Sequence, residues 1–448
     1  YQRNYRVLIE ANKLLEKGND GIKRYQTELL SQFAKMNFSN TIWEIDLLIG
    51  NEILSLEKYL YQEKKNIIGD SKELSSIEIA DVIDEESDTE LSLGEYFAQK
   101  KLWLKNKIFK NNQNLENSIL IKIIKFSVHF ILVPILKLND YLFQKKIDYS
   151  KYDMVHIPLP QNLRRFKKLK IPLVVTIHDL THITHKEFHT SKNIKNVNLG
   201  FSIIEKNPGI VLLSVSDHTT SDIKRFIKNE QRVFKVSEAA NGIRFNLKAN
   251  QDDLSNTKDK YGIKAKKYVF TLCTIEPRKN ILNTIRAFIA YIDKYNDLDT
   301  KMVIAGKFGW GKSHYREIEK EVSKMPSKFI FTGFVDDDDL PVLLNGARAM
   351  CYVSLYEGFG LPILEAYKCG LPVICGRNSS QVEVAGPGGI LVDPLNINEI
   401  VVVLDRIIND DSYYQNIRTE CLKHVEQYSW YKAASETLAC YKNIIEMQ

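Results

Sequence analysis

The chain has 448 residues, which suggests two or three domains that each bury a core of their own. Hydrophobic residues make up 44% and charged residues 26% of it, so disordered, collagen-like and coiled-coil proteins are excluded as the overall class. The net charge of +6 is too weak to imply a nucleic-acid partner by itself. All 6 cysteines lie in the second half and none forms a CxxC pair, which argues against a disulfide framework or zinc site and favours a reducing cytosol.

The N-terminal stretch predicts a strand, a loop and a helix in that order. Tyr5–Ile9 is a short apolar run, and the turn Lys17–Gly21 follows it. Ile22–Met36 then has helical spacing, and Thr41–Ile49 is predicted to be a second strand. Acidic residues dominate positions 70–95, where we expect a solvated insertion.

An apolar segment, Ile119–Leu138, has the length of a membrane span, but charged residues and a proline interrupt it. Lys122, Lys125 and His129 recur at helical spacing, which gives a narrow polar stripe on a wide apolar helix. Two interpretations stay open: a helix buried against a sheet, or an interfacial helix whose lysines, with Lys137 nearby, meet anionic lipid. We expect peripheral membrane association through this segment rather than a full span.

From residue 150 onward, apolar runs alternate with helical or polar segments. Strands are predicted at Met154–Ile157, Leu173–Ile177, Ile210–Val215, Tyr268–Cys273, Met302–Ala305, Phe329–Phe331, Ala349–Val353 and Val373–Cys375. Helices are predicted at Ile281–Tyr295 and Leu361–Lys368. This alternation implies parallel sheets with right-handed crossovers. The polar segment Asn246–Lys266 is predicted to link the two halves.

The loop before the helix at 361–368 carries the densest set of candidate ligand-binding residues. Gly358 and Gly360 flank Phe359 just before Leu361, where glycine lets the backbone approach a ligand, and helix N-terminal amides suit a phosphate or a sugar hydroxyl. Glu357 lies on this loop, and Glu365 follows about one turn into the helix, so both carboxylates reach one crevice. Such a carboxylate can accept two hydroxyls of a ribose or hexose. A surface glutamate and a helix-capping glutamate are the alternative for this spacing alone.

Blocks spread over most of residues 1–40 and 150–448 resemble retaining glycosyltransferases of family 4. The blocks are GNDGIKRY, VVTIHDLTH, LLSVSDHTTSDI, TIEPRKNI, VIAGKFGWG, FTGFVDDDDLPVLLNGARA and SLYEGFGLPILEAYKCGLPVI with its E-x7-E motif. The resemblance implies an α/β protein of the GT-B fold, with two Rossmann-like domains facing each other across a cleft. Residues 1–248 would bind the acceptor and contain an insertion at about 51–150. Residues 265–428 would bind the nucleotide sugar, and 429–448 would form a helix that crosses back.

The resemblance also implies residue roles. Arg278 and Lys279 follow a strand and can neutralise the donor diphosphate, with arginine binding bidentately. Thr274 stands where many relatives carry an arginine, and Arg278 is expected to substitute. His178 would contact the donor sugar, and Glu357 completes the implied catalytic set. The implied substrate-binding residues are Asp20, Gly21, Val335, Phe359, Gly360, Leu361 and Glu365.

Two clusters imitate metal sites. His182, His185 and His189 would share one face if they were helical, but no cysteine and few acids accompany them. Asp336–Asp339 imitates a metal-binding DxD motif, but it precedes the helical stretch Leu340–Leu344, so N-capping and pairing with the helix dipole explain it better. We therefore expect no metal and no cofactor, with the nucleotide sugar as substrate.

The resemblance implies a retaining hexosyltransferase that moves mannose, from GDP-mannose as first choice, to a hydroxyl of a growing glycan or lipid-linked glycan. The alternatives are a UDP- or dTDP-sugar donor, or a non-catalytic GT-B module that binds a glycan or nucleotide. A phosphorylase is disfavoured because no pyridoxal-phosphate lysine site is found. The implied setting is bacterial O-antigen or other polysaccharide synthesis at the cytoplasmic face of the cell membrane, with no nucleic-acid partner. Because the first residue is Tyr, we expect a trimmed chain or one module of a longer protein.

Overall fold

The computed structural model describes residues 4–16, 21–36, 43–68, 147–228, 232–240, 245, 250–309 and 312–447. Its contacts divide the chain into two units, Tyr1–Leu60 with Tyr149–Gln448, and Tyr61–Asp148. The acidic insertion at 70–95 and the segment Ile119–Leu138 lie outside the described residues, so the expectations for both stay predictions. Within the described ranges, no helix is long and apolar enough to cross a membrane.

The first half of the larger unit contains a mainly parallel sheet. Its strands are β1 (Tyr5–Glu10), β2 (Trp43–Ile49), β3 (Glu52–Ser55), β4 (Met154–Ile157), β5 (Leu173–Ile177), β6 (Val211–Ser214) and β7 (Val233–Lys235). In the described residues they lie in the order β3-β2-β1-β4-β5-β6-β7, and only β2 and β3 pair antiparallel. The central strands β4, β5 and β6 are buried along their whole length, as expected for parallel strands covered on both faces.

Helices of the first half connect these strands. They are α1 (Gly21–Lys35), α2 (Leu56–Ile68), α3 (Thr181–Thr184), α4 (Ser191–Lys206) and α5 (Asp217–Phe226). In α1, Tyr25, Leu29 and Phe33 recur at helical spacing and are buried, as the sequence predicts. The Ser216 hydroxyl caps α5 by accepting a hydrogen bond from the Thr219 amide at 3.0 Å.

The second half contains a parallel sheet. Its strands are β8 (Lys267–Leu272), β9 (Thr300–Ala305), β10 (Phe329–Gly333), β11 (Ala349–Tyr352), β12 (Val373–Gly376) and β13 (Gly389–Val392). The described strands lie in the order β10-β9-β8-β11-β12-β13. The helices from here to the chain end are α6 (Gln251–Lys260), α7 (Ile281–Tyr295), α8 (Lys312–Val322), α9 (Leu340–Gly346), α10 (Leu361–Lys368), α11 (Gln381–Ala385), α12 (Ile397–Asn409), α13 (Asp411–Val425) and α14 (Trp430–Glu446).

The segment treated as a linker, Asn246–Lys266, contains helix α6. The Asn250 side chain caps this helix by accepting a hydrogen bond from the Asp253 amide at 2.7 Å. Acidic residues in its first turn and basic residues in its last turn complement the helix dipole. Its polarity therefore reflects an exposed helix rather than a simple connection.

The predicted N-capping role of Asp336–Asp339 is wrong. Asp339 stands at the N-cap position of α9, but its side chain makes no capping hydrogen bond. Its Oδ2 instead accepts hydrogen bonds from Lys260 Nζ at 2.5 Å and from the Tyr261 hydroxyl at 2.8 Å. Asp336 Oδ2 also pairs with Lys260 at 2.8 Å. The cation and the hydroxyl at the end of α6 take these carboxylates away from the helix amides.

The last helix, α14, packs against the first sheet. The Tyr441 hydroxyl lies 2.6 Å from Nδ1 of His156 on β4, and the other ring nitrogen lies 2.7 Å from Thr176 Oγ1 on β5. Near the chain end, the Tyr5 hydroxyl of β1 donates to Glu446 at 2.5 Å. These polar contacts tie the last helix to strands of the first sheet. His156 and its two partners, Tyr441 and Thr176, are all buried.

His156 gives the fold a pH dependence. Burial lowers its pKa from 6.5 to about 3, so the unfolded chain binds more protons than the folded chain in that window. The free energy of unfolding should therefore fall by about 1.4 kcal/mol per pH unit on this account as the pH decreases through the window. The free energy of unfolding is measured with urea at about pH 7, 5.5 and 4.5. It should depend less steeply on pH for His156→Gln than for wild type. Equal slopes would contradict the burial of a neutral His156.

Candidate active site

A cleft of about 580 Å³ lies between the two halves of the larger unit. Its lining residues follow β1, β5, β6 and β7 of the first sheet and β8, β9, β10 and β11 of the second, at the strand ends where α/β proteins bind ligands. The sequence-predicted residues that line it are Gly21, His178, Arg278, Lys279, Val335, Glu357, Phe359, Gly360, Leu361 and Glu365. Asp20 lies outside the described residues, so its role stays a prediction.

Glu357 is a buried carboxylate held between two cations. Its Oε1 accepts a hydrogen bond from Lys279 Nζ at 2.6 Å, and its Oε2 accepts one from Arg278 Nη1 at 2.8 Å. Burial raises the pKa of Glu357, but the two cations outweigh burial and lower it to about 2. Glu357 is therefore ionised at neutral pH. It neutralises positive charge on Arg278 and Lys279, the two cations that were predicted to bind the donor diphosphate.

The guanidinium of Arg278 is largely occupied by protein groups. Its Nε and Nη2 lie 3.1 and 2.9 Å from Glu276 Oε1, and Nη1 also donates to the Tyr356 carbonyl at 3.0 Å. The predicted bidentate binding of a diphosphate by Arg278 would therefore require Arg278 to break its ion pair with Glu276 or with Glu357. Lys279 donates to Glu357 and, at 3.1 Å, to the Tyr352 hydroxyl, so one of its three N–H groups stays available. Lys279 is therefore better placed than Arg278 to meet an incoming phosphate.

Two glycines shape the Glu357 loop, and one of them allows it to approach the first half. A Cβ atom at Gly358 would lie 1.9 Å from the His178 carbonyl oxygen, so only glycine fits there. Gly360, which precedes α10, has a φ of 113°, a conformation that other residues rarely adopt. The sequence predicted close approach to a ligand at these glycines, whereas Gly358 makes its close approach to the backbone of the other half.

His178 is oriented by a glutamate that the sequence analysis missed. Nδ1 of His178 lies 3.1 Å from Oε1 of Glu238, which follows β7. In the neutral imidazole, a carboxylate partner accepts from the Nδ1–H group, and this tautomer leaves Nε2 with a lone pair. Nε2 is buried and has no hydrogen-bond partner in the described structure, although His178 lines the cleft. It can accept a hydrogen bond from a ligand hydroxyl.

Glu365 is paired with a cation from the opposite half. Arg24 of α1 donates a hydrogen bond to Glu365 Oε1 and lies 3.5 Å from Asp337 Oδ1. The charge of Glu365 raises the pKa of Arg24. Glu365 is only 1% exposed, and its Oε2 has no hydrogen-bond partner in the described part of the chain. Arg24 thus neutralises a buried carboxylate while one oxygen stays available to a ligand.

Local sequence signals place three unanticipated residues beside the cleft. Arg24 lies one helical turn after the cleft glycine Gly21, Glu276 lies in the TIEPRKNI block, and Glu238 follows a short strand. Each stands close to a predicted residue in sequence or follows the end of a strand. Glu276 lies only 2 positions from its partner Arg278, whereas Arg24 lies 341 positions from its partner Glu365. The long-range pairing could not be identified from local patterns.

The suspected histidine cluster does not form a shared helical face. Helix α3 ends at Thr184, so His185 and His189 lie beyond it. His189 Nε2 lies 2.7 Å from Thr181 Oγ1, whereas the His185 ring stacks on Phe188. In the parts of the chain that the structure describes, no group of three or more potential ligands could hold a metal ion.

Comparison with known proteins agrees with this architecture. Residues 254–423 match the family described as glycosyl transferases group 1. O-antigen chain mannosyltransferase B of Escherichia coli is 29% identical over 66% of this chain and 75% of that protein. The serotype-specific mannosyltransferase WbdA of Escherichia coli is 26% identical over 61% of this chain, which spans about a third of the length of WbdA (34%).

A solved structure supports the fold over nearly the whole chain. Sucrose-phosphate synthase from Thermosynechococcus elongatus has a TM-score of 0.63 at 15% identity, with coverage of 99% of this chain and 100% of that one. The predicted GT-B fold is thereby confirmed. The chain is therefore similar to glycosyltransferases, with bacterial mannosyltransferases among its relatives, whereas membership of family 4 stays a prediction.

Arg24 should matter more for stability than an exposed arginine. Arg24→Ala leaves the buried Glu365 carboxylate without its cation, and we expect the free energy of unfolding to fall by about 3 kcal/mol. Arg6→Ala is the matched control, because Arg6 pairs with Glu44 on the surface with both side chains over 40% exposed, and should cost less than about 1 kcal/mol. Chemical unfolding measures both variants. Equal losses would contradict the role of Arg24.

Proposed function

We propose that the protein is a retaining mannosyltransferase that transfers mannose from GDP-mannose to a hydroxyl of a growing glycan or lipid-linked glycan. The names of the two Escherichia coli relatives favour mannose as the transferred sugar. A lipid-linked acceptor would place the enzyme at the inner face of the cell membrane, and Ile119–Leu138 is the segment proposed to contact that surface.

The observation that carries this proposal is the buried Glu357 between Arg278 and Lys279. A diphosphate leaving group gains negative charge as its bond to the sugar breaks, and cations fixed beforehand stabilise that charge without reorganising. Lys279 keeps an N–H group for the phosphate, and Glu357 holds both cations in place. The amino end of α10 adds a favourable field for the same anion.

The remaining polar groups of the cleft fit the rest of a nucleotide sugar. Oε2 of Glu365 and Nε2 of His178, which have no hydrogen-bond partner among the described residues, can accept hydrogen bonds from a ribose hydroxyl and a sugar hydroxyl respectively. We propose that the acceptor hydroxyl attacks from the face that the diphosphate leaves. The acceptor proton passes to a leaving phosphate oxygen, so the configuration at the anomeric carbon is retained.

A nucleotide panel followed by a transfer assay tests the proposal. GDP, UDP, dTDP and ADP are compared for the rise in melting temperature that each produces, and GDP should produce the largest rise. The purified protein is then incubated with GDP-mannose and mannosyl acceptors, and NMR of the product should show the same anomeric configuration as the donor. Stabilisation by UDP alone would contradict GDP-mannose as the donor and indicate a UDP-sugar instead. A product with the inverted anomeric configuration would overturn the retaining mechanism.

Removing the Lys279 cation should impair turnover more than donor binding. Lys279→Ala deletes a positive charge that stabilises the leaving group as its negative charge grows. The value of kcat should therefore fall by about 100-fold, whereas KM for the donor should change by less than about fivefold in either direction. Lys368→Ala is the matched control, because Lys368 pairs with Glu426 outside the cleft. A rise in KM with unchanged kcat would assign Lys279 to ground-state binding instead.

Transfer should not require a divalent metal. The proposed site balances the diphosphate with Lys279 and helix amides, and with Arg278 once one of its carboxylate pairs opens, so activity should survive dialysis against EDTA. Residual activity is measured before dialysis, after dialysis and after addition of Mn²⁺ or Mg²⁺. Complete loss that either metal restores would contradict a metal-independent reaction and direct attention to Asp336–Asp339.

A further inference from the structure

One face of α5 is polar and yet buried. Ser216, Thr219 and Asp222 recur every three residues, which places them on the same side of the helix, and each is less than 10% exposed. A buried polar face needs hydrogen-bond partners, because unsatisfied polar groups in the interior are costly. Some partners lie in the same half, such as the His178 carbonyl 3.4 Å from Thr219 Oγ1, and the others lie in the other half of the larger unit, on the loop that carries Glu357.

The contacts of this face flank Glu357 on both sides. Before Glu357, the Tyr356 hydroxyl donates a hydrogen bond to Asp222 Oδ2. After Glu357, the Gly358 carbonyl oxygen lies 2.7 Å from Ser216 Oγ and 3.1 Å from Thr219 Oγ1. Helix α5 therefore forms hydrogen bonds with the two residues next to Glu357 in sequence, Tyr356 and Gly358.

The second half holds the same loop from its other side. The Ser379 hydroxyl accepts a hydrogen bond from the Glu357 amide at 3.0 Å, and the Ser380 hydroxyl donates to the Glu357 carbonyl at 2.9 Å. Glu383, three residues further on, accepts from the backbone amides of Asp217 and His218 at 2.9 and 3.0 Å. The start of α5 is thus anchored to the segment that supports the Glu357 backbone.

We propose that Thr219 and Asp222 are positioning residues that, when the two halves are closed, complete the fixing of Glu357 that the second half begins, and through Glu357 position Arg278 and Lys279. This inference rests on the proposed function for its reaction, but the contacts themselves do not depend on it. Donor groups that bind the second half can do so before closure. The α5 contacts then complete the charge arrangement around the leaving group, which couples closure to turnover.

Two variants remove these contacts with little change in shape. Thr219→Val deletes the hydroxyl at the Gly358 carbonyl, and Tyr356→Phe deletes the donor to Asp222. Ser216 is left unchanged, because its hydroxyl also caps α5. Thr220→Val is the matched control for the first variant, since that hydroxyl contacts only Ser214 and Ser216 among the hydrogen bonds of the described residues.

A second control matches the tyrosine variant. Tyr291 donates to Asp297 at 2.6 Å within the second half and outside the cleft, so Tyr291→Phe removes the same chemical bond without touching the Glu357 loop. Thr219→Ser restores the hydroxyl of Thr219 and serves as the conservative rescue. If Thr219→Val fails to fold, Tyr356→Phe and its control carry the test.

Kinetics with GDP-mannose supply the first readout. Thr219→Val and Tyr356→Phe should each lower kcat by about tenfold, with KM for the donor within about twofold of wild type, whereas both controls and Thr219→Ser should behave like wild type. Unchanged kcat, or a change confined to KM, would overturn the proposal. A loss of the same size in the controls would also overturn it, because the effect would then be general destabilisation.

Hydrogen exchange supplies a readout that needs no activity. The amides of Leu355 and Glu357 are hydrogen-bonded within the second half, to the Arg278 carbonyl and to Ser379, so their exchange reports opening of the loop. Residues 355–361 should exchange about tenfold faster in Thr219→Val and Tyr356→Phe than in wild type and the controls. If wild type transfers no sugar, the proposed function fails and this readout decides the inference alone. Equal exchange in all proteins would overturn it.

Discussion

The cleft depends on one constraint, namely that the buried charge of Glu357 must be paired. An isolated carboxylate in the protein interior is several kcal/mol less stable than one in water, so Glu357 requires Arg278 and Lys279 at hydrogen-bond distance. The three residues come from the loops after β8 and β11, which are adjacent strands of the second sheet. Parallel pairing of those strands therefore brings the charges together, and pairing the charges fixes both loops.

Closure of the cleft follows from the same constraint. Arg24 of the first half neutralises Glu365 of the second, and the buried polar face of α5 finds its partners on the Glu357 loop. Separating the halves would expose or leave unpaired each of these groups. Within the described residues, Nε2 of His178 and Oε2 of Glu365 lack a hydrogen-bond partner, and Lys279 keeps one N–H group, so a ligand can bind there or replace a protein partner. The two acceptor atoms favour a ligand with hydroxyls, and the Lys279 N–H group favours an anionic group beside them.

The sequence predicted those features that local patterns encode. Strands β4 and β5 and helices α7 and α10 have the predicted bounds, because apolar runs and helical spacing depend on neighbouring residues. The strands β3, β7 and β13 were not predicted, since β3 and β7 have no buried residue and β13 is only half buried, so none of them forms the continuous apolar run that marks β4. The cleft residues were predicted from motifs at strand ends. The Arg24–Glu365 and Tyr356–Asp222 contacts were not, because they join residues 341 and 134 positions apart.

The unfolding free energy of Glu357→Gln, measured with and without GDP, tests the central claim most directly. The amide keeps the shape of Glu357 but leaves Arg278 and Lys279 without their shared counter-charge. We expect a loss of about 3 kcal/mol, against less than about 1 kcal/mol for Glu44→Gln on the exposed surface pair. GDP should then stabilise Glu357→Gln more than wild type, because the diphosphate supplies the missing negative charge. Unchanged stability of Glu357→Gln, with equal stabilisation by GDP, would contradict the account.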